Sequence, residues 1–434
     1  MCLDDSSNDV QAVAIKCLSI LLKKLKHAQI GEISEKLVVL ILEGKDQLRD
    51  IYSIGLKTLI NDVPDDMGSL VCKKLIAKLL DGINRASSES ITRECIEILT
   101  DLVKRFGQLL DLEEVIRTCM LQLESPRSSL KKRISNCIGS VATMCPDILL
   151  NKLLVDILGK VEVSSSEDTT FYVQTLTIMS RTVGYRLGKL LSSLVPIFIK
   201  NCGDPDDEAQ QTEAMDDIRD HCFLGLESLA LRCPRDFASH LPSVIKLSLM
   251  FMRYDPNYQY EQDGEQDAMD DDVDQDFDDQ EYQGSDYEDN SWKIRKNAVK
   301  LLQAIVVSQA SLGNDVLATL STELISRMKE REENVRVDII MCYNEVLNKI
   351  FHSHSEHDSV AQTAKVGGVA KPIEERYPIV AGSFPALLEA SLRQLESKSP
   401  KTKSALLTML RNLFSFVKVG QPFASIANYL LTTL

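Results

Sequence analysis

A four-point pattern returns roughly every forty residues along this chain, and no other feature restricts its fold as tightly. An apolar anchor is followed at the next place by a polar residue, four places on by a small or apolar residue, and eight places on by an apolar one. The anchors are Val10, Leu48, Ile91, Leu130, Phe171, Ile218, Ile294, Val335 and Thr402. The next place holds Gln11, Arg49, Thr92, Lys131, Tyr172, Arg219, Arg295, Arg336 and Lys403. The fourth holds Ala14, Tyr52, Cys95, Ile134, Thr175, Cys222, Ala298, Ile339 and Leu406, and the eighth holds Leu18, Leu56, Leu99, Ile138, Met179, Leu226, Leu302, Tyr343 and Leu410. Such spacing puts the apolar places on one face of an α-helix. Successive anchors lie 38, 43, 39, 41, 47, 76, 41 and 67 residues apart. A period of this length on helical segments marks paired-helix repeats.

Each unit reads as two helices. The second carries the anchored pattern. The first is more uniformly apolar, as in Leu37 to Leu42, Leu70 to Ile83, Leu187 to Ile199, Leu241 to Met252 and Leu317 to Lys329. One such pair cannot bury its stripe alone, so neighbours must stack into a continuous core. The expected fold is all-α: a right-handed superhelical solenoid of helical hairpins. Pro126, Pro146, Pro205 and Pro234 fall between the expected helices, where a missing N–H does least harm. Asp5, Glu43, Glu213, Asp289 and Glu330 stand five places before their anchors, close to the positive end of the second helix.

Two anchor intervals are too long and point to insertions. The chain carries a net charge of −15, but 16 of its 64 acidic residues lie between Asp255 and Asp289, with no Lys or Arg among them. The remainder is nearly neutral, 48 acidic against 49 basic residues. That acidic run has too few aliphatic residues to offset the entropy of ordering, so 253–290 is expected to be a disordered acidic loop. A second insertion, 353–383, contains Gly367-Gly368, Pro372 and Pro378. The resulting organisation is an array over 1–252 with an incomplete first repeat, repeats over 291–352, and repeats over 384–434 with an incomplete last one. Both ends fall inside a repeat. A bare repeat face of roughly 500 Å² would forfeit about 12 kcal/mol at ~25 cal/mol/Å². The expectation is a longer array, of which this is a fragment or one half of a split protein.

Little in the sequence suggests chemistry. No phosphate-binding loop, dinucleotide fingerprint or H-E-x-x-H motif occurs, and no cofactor or metal is expected. Gly184 and Gly188 read as a helix junction rather than a phosphate cradle. His352, His354 and His357 lie close together with Glu356 and Asp358, but no cysteine or distant His completes a metal site. The acidic run lacks the Gly-then-Glu spacing of a calcium loop. Eleven cysteines include no C-x-x-C pair. Cys17, Cys95, Cys137 and Cys222 fall on the apolar stripe and read as small buried hydrophobes in a reducing compartment. No apolar run approaches the length of a membrane span, and a near-neutral body with a polyanionic loop disfavours nucleic acid. The recurring cations Arg49, Lys131, Arg219, Arg295, Arg336 and Lys403 admit two readings, a grip on an acidic partner or ion pairing at repeat junctions. Two tighter clusters, Lys131-Lys132-Arg133 and Lys293 with Arg295 and Lys296, are the candidate partner contacts.

Several strings are more specific than a generic repeat. They are Val10-Gln-Ala-Val-Ala-Ile-Lys-Cys-Leu18, Lys45-Asp-Gln-Leu-Arg-Asp50, Ser53-Ile-Gly-Leu-Lys-Thr58 and Val71-Cys-Lys-Lys74. Further along come Ser125-Pro-Arg127, Lys132-Arg133, Arg232-Cys-Pro234 and Tyr254-Asp-Pro-Asn-Tyr258. The acidic run then closes at Ser291-Trp-Lys293, followed by Ile325-Ser-Arg327 and Lys329-Glu-Arg-Glu-Glu-Asn-Val335. With these strings the chain resembles the amino-terminal part of the cullin-associated, neddylation-dissociated proteins, exchange factors of cullin–RING ubiquitin ligases. The resemblance weakens after about residue 350. It implies HEAT-type repeats that embrace an unmodified cullin and its RING-finger subunit and cover the lysine that would receive the ubiquitin-like modifier. It also implies a carboxy-terminal arm, or a separate carboxy-terminal chain, that competes with substrate adaptors.

The expected function is therefore a non-enzymatic assembly or exchange factor in the cytoplasm and nucleus, working by shape. A HEAT scaffold of the nuclear-transport or phosphatase type is the alternative, and sensitivity to a small GTPase would distinguish a transport receptor.

Overall fold

The computed structural model describes residues 2–85, 88–125, 127–164, 166–256, 291–362 and 378–416. Among these, no strand occurs. The second helices all form where the pattern places them: α1 (Asn8–Leu22), α3 (Arg49–Asp62), α5 (Glu89–Phe106), α7 (Ser128–Met144), α9 (Ser166–Val183), α11 (Glu213–Arg232), α14 (Ser291–Ser308), α16 (Glu333–Gln362) and α18 (Pro400–Phe416). The partner helices are α2 (His27–Glu43), α4 (Gly68–Arg85), α6 (Leu112–Leu123), α8 (Asp147–Val163), α10 (Leu191–Cys202), α13 (Leu241–Phe251) preceded by the single turn α12 (Pro234–Phe237), α15 (Asn314–Ser326) and α17 (Pro378–Glu396).

The chain divides into two compact units, Met1–Phe198 and Ile199–Leu434. In the first, the second helices stack in order from α1 through α3, α5 and α7 to α9. Each of α2, α4, α6 and α8 packs on the second helix that follows it. In the second unit α11, α14, α16 and α18 stack in the same way, with α13, α15 and α17 against α14, α16 and α18. Both units are thus stacks of HEAT-type hairpins. The stripes explain the stacking. From α3 onward every fourth and eighth place after the anchor is buried, from Tyr52 and Leu56 to Leu406 and Leu410. Each fully buried Leu or Ile there contributes roughly 1.5–3 kcal/mol. In α1, by contrast, Ala14 and Leu18 are only half-buried, Val13, Ile20 and Leu21 are exposed, and Cys17 faces solvent instead of the core. Among the described residues, α3 and the short turn at Cys2–Asp4 make the main packing on this helix, which leaves much of its stripe uncovered.

A second set of cations closes the hairpins, and the four-point pattern does not show it. Arg105, near the end of α5, donates to the carbonyls of Ile60 (2.6 Å) and Val63 and reaches Asp65 at 3.1 Å. Arg186, just beyond α9, donates to the carbonyls of Ala142 (3.2 Å) and Cys145 (2.6 Å) and pairs with Asp147. Lys349 on α16 donates to Gln309 O at 2.5 Å. Each closes the carboxy-terminal end of the preceding second helix, where carbonyls lack helical partners and the dipole favours a cation. Arg186→Ala is expected to cost about 2 kcal/mol, because charge-assisted bonds to buried carbonyls are lost. A lower urea midpoint with unchanged helix content checks it.

Several expected boundaries shift. Residues 253–256 belong to the folded body rather than to a loop: Tyr254 is buried and Arg253 pairs with Glu323. The remainder of the acidic insertion, 257–290, lies outside the described residues, as do 363–377 and the incomplete last repeat beyond Phe416. Of the 353–383 insertion, the first part extends α16 to Gln362 and the last begins α17 at Pro378. Pro146 and Pro234 sit at helix starts as expected, but Pro196 lies inside α10 and Pro385 inside α17. Glu330 turns inward to Arg295 and Arg327 as well as accepting from Glu332 N.

Candidate partner-binding surface

The polar residue after seven of the nine anchors is buried, and Arg336 and Lys403 are half-buried. Gln11, Arg49, Thr92, Lys131, Tyr172, Arg219 and Arg295 are all inside, the two later arginines completely. Five of the six recurring cations form rungs to a neighbouring element or repeat. Arg49 donates to Ile41 O (2.9 Å) and Ser90 Oγ (3.4 Å). Lys131 pairs with Asp168 at 2.6 Å and lies over the Phe171 ring. Arg219 donates to Cys202 O and to Tyr254 Oη, both at 2.9 Å, and pairs with Asp216. Arg295 donates to Tyr254 O at 3.0 Å and Ser291 Oγ at 2.9 Å, and faces Asp255 (3.5 Å) and Glu330 (3.3 Å). Arg336 donates to Glu330 O at 2.6 Å and Thr402 Oγ1 at 3.2 Å. These geometries make Arg49, Lys131, Arg219, Arg295 and Arg336 junction rungs, and they remove Lys131 and Arg295 from the candidate contacts.

Four of the six candidate residues remain at the solvent edge of the second helices. Lys132 and Arg133 are exposed on α7, Lys293 is exposed on α14, and Lys296 is half-buried beside it. Both α14 lysines lie 5.8 Å from the Trp292 ring centroid. In the first unit this edge carries an alternating ladder. Lys57 on α3 meets Glu97 on α5 at 2.5 Å, and Glu97 also meets Arg133 on α7. Burial pushes the Glu97 carboxyl up, but the hydrogen bond and charge of Lys57, with Arg133 and Arg93, hold it below the usual carboxylate range.

In the second unit the same edge alternates in sign. Asp220 on α11 accepts from Asn297 on α14, and burial raises its carboxyl above the usual range. Asp338 on α16 is also raised by burial, which the charges of Lys300 and Lys296 only partly offset, and its Oδ2 has no hydrogen-bond partner. A carboxyl raised in the folded state binds its proton more tightly there than when unfolded, so it subtracts from stability at neutral pH and the loss fades as pH falls through the folded value. Asp338→Asn is therefore expected to raise the urea midpoint at neutral pH, with the gain shrinking in mild acid.

The arrangement suits recognition more than bond-making. Burial pushes the Cys72 and Cys145 thiols up to about 11 and Cys95 to about 12, so they stay protonated and poorly nucleophilic. Among the described residues no group of His, Cys, Asp and Glu converges as metal ligands would, and no helix is long and apolar enough to cross a membrane. The His354 and His357 side chains lie outside the described set. Gly184 and Gly188 start short 3-10 turns at the α9–α10 junction.

One concavity was not evident from the sequence. A groove of about 1020 Å³ lies between α13 and α15, with Tyr254, Asp255 and Pro256 in its wall.

Comparison with known proteins supplies the lineage. No family model matches the chain. Cullin-associated NEDD8-dissociated protein 1 of Arabidopsis thaliana is 32% identical over 420 residues, covering 95% of this chain and 33% of that protein. The Drosophila melanogaster protein of the same name is 32% identical over 424 residues, covering 95% and 32%. Cullin-associated NEDD8-dissociated protein 2 of Mus musculus is 32% identical over 422 residues, covering 95% and 33%. The chain is a relative of the cullin-associated NEDD8-dissociated proteins. It spans about a third of the length of these curated relatives. Among solved structures, importin β crystallised from ammonium sulfate superposes with a TM-score of 0.61 at 11% identity, covering 99% of this chain and 46% of that one. Kap95p in a structure with RanGDP gives 0.63 at 11% identity, covering 99% and 48%. At such identity the likeness is one of fold, stacked helical hairpins, alone.

Proposed function

We propose that this chain is a non-enzymatic assembly or exchange factor that binds an unmodified cullin and its RING-finger subunit and shields the cullin lysine that would receive NEDD8. The observation that carries the reading is the match over 95% of the chain, at 32% identity, to proteins whose name joins cullins and NEDD8. The stacked hairpins support a steric mechanism. Binding spread over many shallow contacts buries area without a deep cleft, and mixed-sign edges give orientation and association rate more than affinity. A separate carboxy-terminal chain or arm of the same factor would supply the remaining contacts, with the complex acting in the cytoplasm and nucleus.

Pull-down with unmodified and NEDD8-modified cullin–RING complexes tests this. Retention of the unmodified complex alone supports the reading, and equal retention of both overturns it. On this reading the solvent-edge lysines steer encounter. Replacing Lys132, Lys293 and Lys296 by Glu is expected to slow association about tenfold at low salt, with a weaker effect at high salt, as measured by surface plasmon resonance. Far-UV circular dichroism should not change, because all three lie outside the buried rungs.

A further inference from the structure

The outer face of α8 carries an apolar stripe that the chain's own packing leaves uncovered. Leu150, Leu153, Leu154, Ile157 and Val161 enter the core of the first unit, as a first helix requires. On the opposite side Ile148 is 86% exposed, Val155 60% and Val163 80%. Among the described residues, no other first helix shows more than one exposed large apolar side chain. Ile148 and Val155 are seven places apart and Val155 and Val163 eight, which sets all three on one face. A helix that is apolar on both sides is expected to be covered on both. Gly159 lies in the gap between Val155 and Val163 and is itself exposed. Glycine is unfavourable in a helix interior, yet a Cβ placed there would meet nothing within 4 Å, so the chain's own packing does not ask for it. A flat spot between two projecting valines does suit the close approach of another helix.

Self-complementarity selects the occupant. Val155 and Gly159 each stand two places from the level of Ile157, and Lys152 and Glu162 each stand five. Two copies of α8 paired antiparallel about that level would seat each Val155 against Gly159 of the other copy. The same pairing would bring each Lys152 to Glu162 of the other copy. Lys152 and Glu162 are exposed and neither has an ion pair among the described residues, whereas the nearby Lys160 is held by Glu124 at 2.5 Å. One helix thus supplies a projection and its hollow, and a cation and its anion, at matched distances from a single centre. That is the condition for an isologous two-fold contact.

We infer that this chain dimerises through the outer face of α8, antiparallel about Ile157, with Val155 packed on Gly159 and Lys152 paired with Glu162 across the two-fold axis. The contact uses a first helix and does not rest on the cullin reading, whose candidate contacts lie on the second helices.

Sedimentation velocity of the full chain over a dilution series tests this. The parent is expected to pass from monomer to dimer as concentration rises. Gly159→Leu enters open space and supplies a better helix former. It should therefore keep the urea midpoint at or above that of the parent while weakening the dimer at least about tenfold. Val155→Glu should weaken the dimer by about as much. Lys152→Glu and Glu162→Lys should each weaken it several-fold, because like charges then meet across the axis. A mixture of these two variants should recover association as a heterodimer, with opposite charges at both contacts. Three results overturn the inference. The first is a monomer throughout the series. The second is a dimer unmoved by Gly159→Leu and Val155→Glu, which would place the contact on another face. The third is a mixture of the two charge variants that associates no more than either alone, which would remove the antiparallel pairing about Ile157.

Discussion

Arg295→Ala is expected to destabilise the second unit by about 3 kcal/mol, because it takes a shared cation from two buried carboxylates, leaving Asp255 to Arg331 and Glu330 to Arg327. The Arg295 side chain is wholly inaccessible, and those of Asp255 and Glu330 are 3% and 2% exposed. The guanidinium also holds the Tyr254 carbonyl and the Ser291 hydroxyl, so one truncation removes a donor from acceptors on three segments. Lysine should not rescue it, since a single ammonium cannot reach the same fork of acceptors. Replacing Arg295, Arg327, Asp255 and Glu330 together by Met and Leu should recover much of the loss, because a substitute that is apolar throughout the cluster removes the desolvation cost along with the attraction. Urea unfolding followed by far-UV circular dichroism measures all three. A midpoint for Arg295→Ala equal to that of the parent would show that the rung contributes little.

Phe251→Ala should cost a similar amount, about 3–5 kcal/mol, for a different reason. The ring is fully buried at the end of α13, 5.4 Å from Phe223 in an edge-on contact and 5.7 Å from Tyr254, with the Arg219 guanidinium 5.2 Å from its centre. Deleting it opens a cavity and removes the surface against which Tyr254 and Arg219 are held. Phe251→Leu should cost about 1–1.5 kcal/mol, since most of the volume is kept. Because Arg219 shares the contact, the double variant Phe251→Ala with Arg219→Ala should cost clearly less than the sum of the single changes. An additive result would mean that the ring and the guanidinium act independently.

How much of this could be read from sequence depended on whether a residue's fate was set within one helix or between helices. The apolar places at four and eight after each anchor lie in the middle of the stripe, and their burial from Tyr52 to Leu410 follows from helical geometry alone. The place next to the anchor lies about a quarter-turn away, at the edge of the stripe, where the neighbouring helix decides. Lys131 and Lys132 are adjacent in sequence, yet one turns inward to Asp168 and the other outward. Helical spacing turns Lys132 away from the stripe, but the inward turn of Lys131 at the stripe edge depends on Asp168 in the next repeat. The Lys57–Glu97–Arg133 ladder depends on the lateral offset of three successive helices, which repeat spacing does not encode. Tyr254-Asp255 stood out in sequence as part of a family-like string, while its physical role, bracing Arg219 and Arg295, required the packing. The α13–α15 groove was similarly hidden, because the four-point pattern describes second helices and says nothing of the space between first ones.

The junction at Arg295 has a practical corollary. Tyr254 and Ser291 are 37 positions apart in the chain, yet one guanidinium fastens both. The chain leaves and re-enters the stacked helices at one fastened point, and those helices pack on one another directly. Doubling the length of sequence between the two fastened residues would add only about 0.6 kcal/mol of closure entropy. A reporter domain could be grafted there while the helical core kept its register.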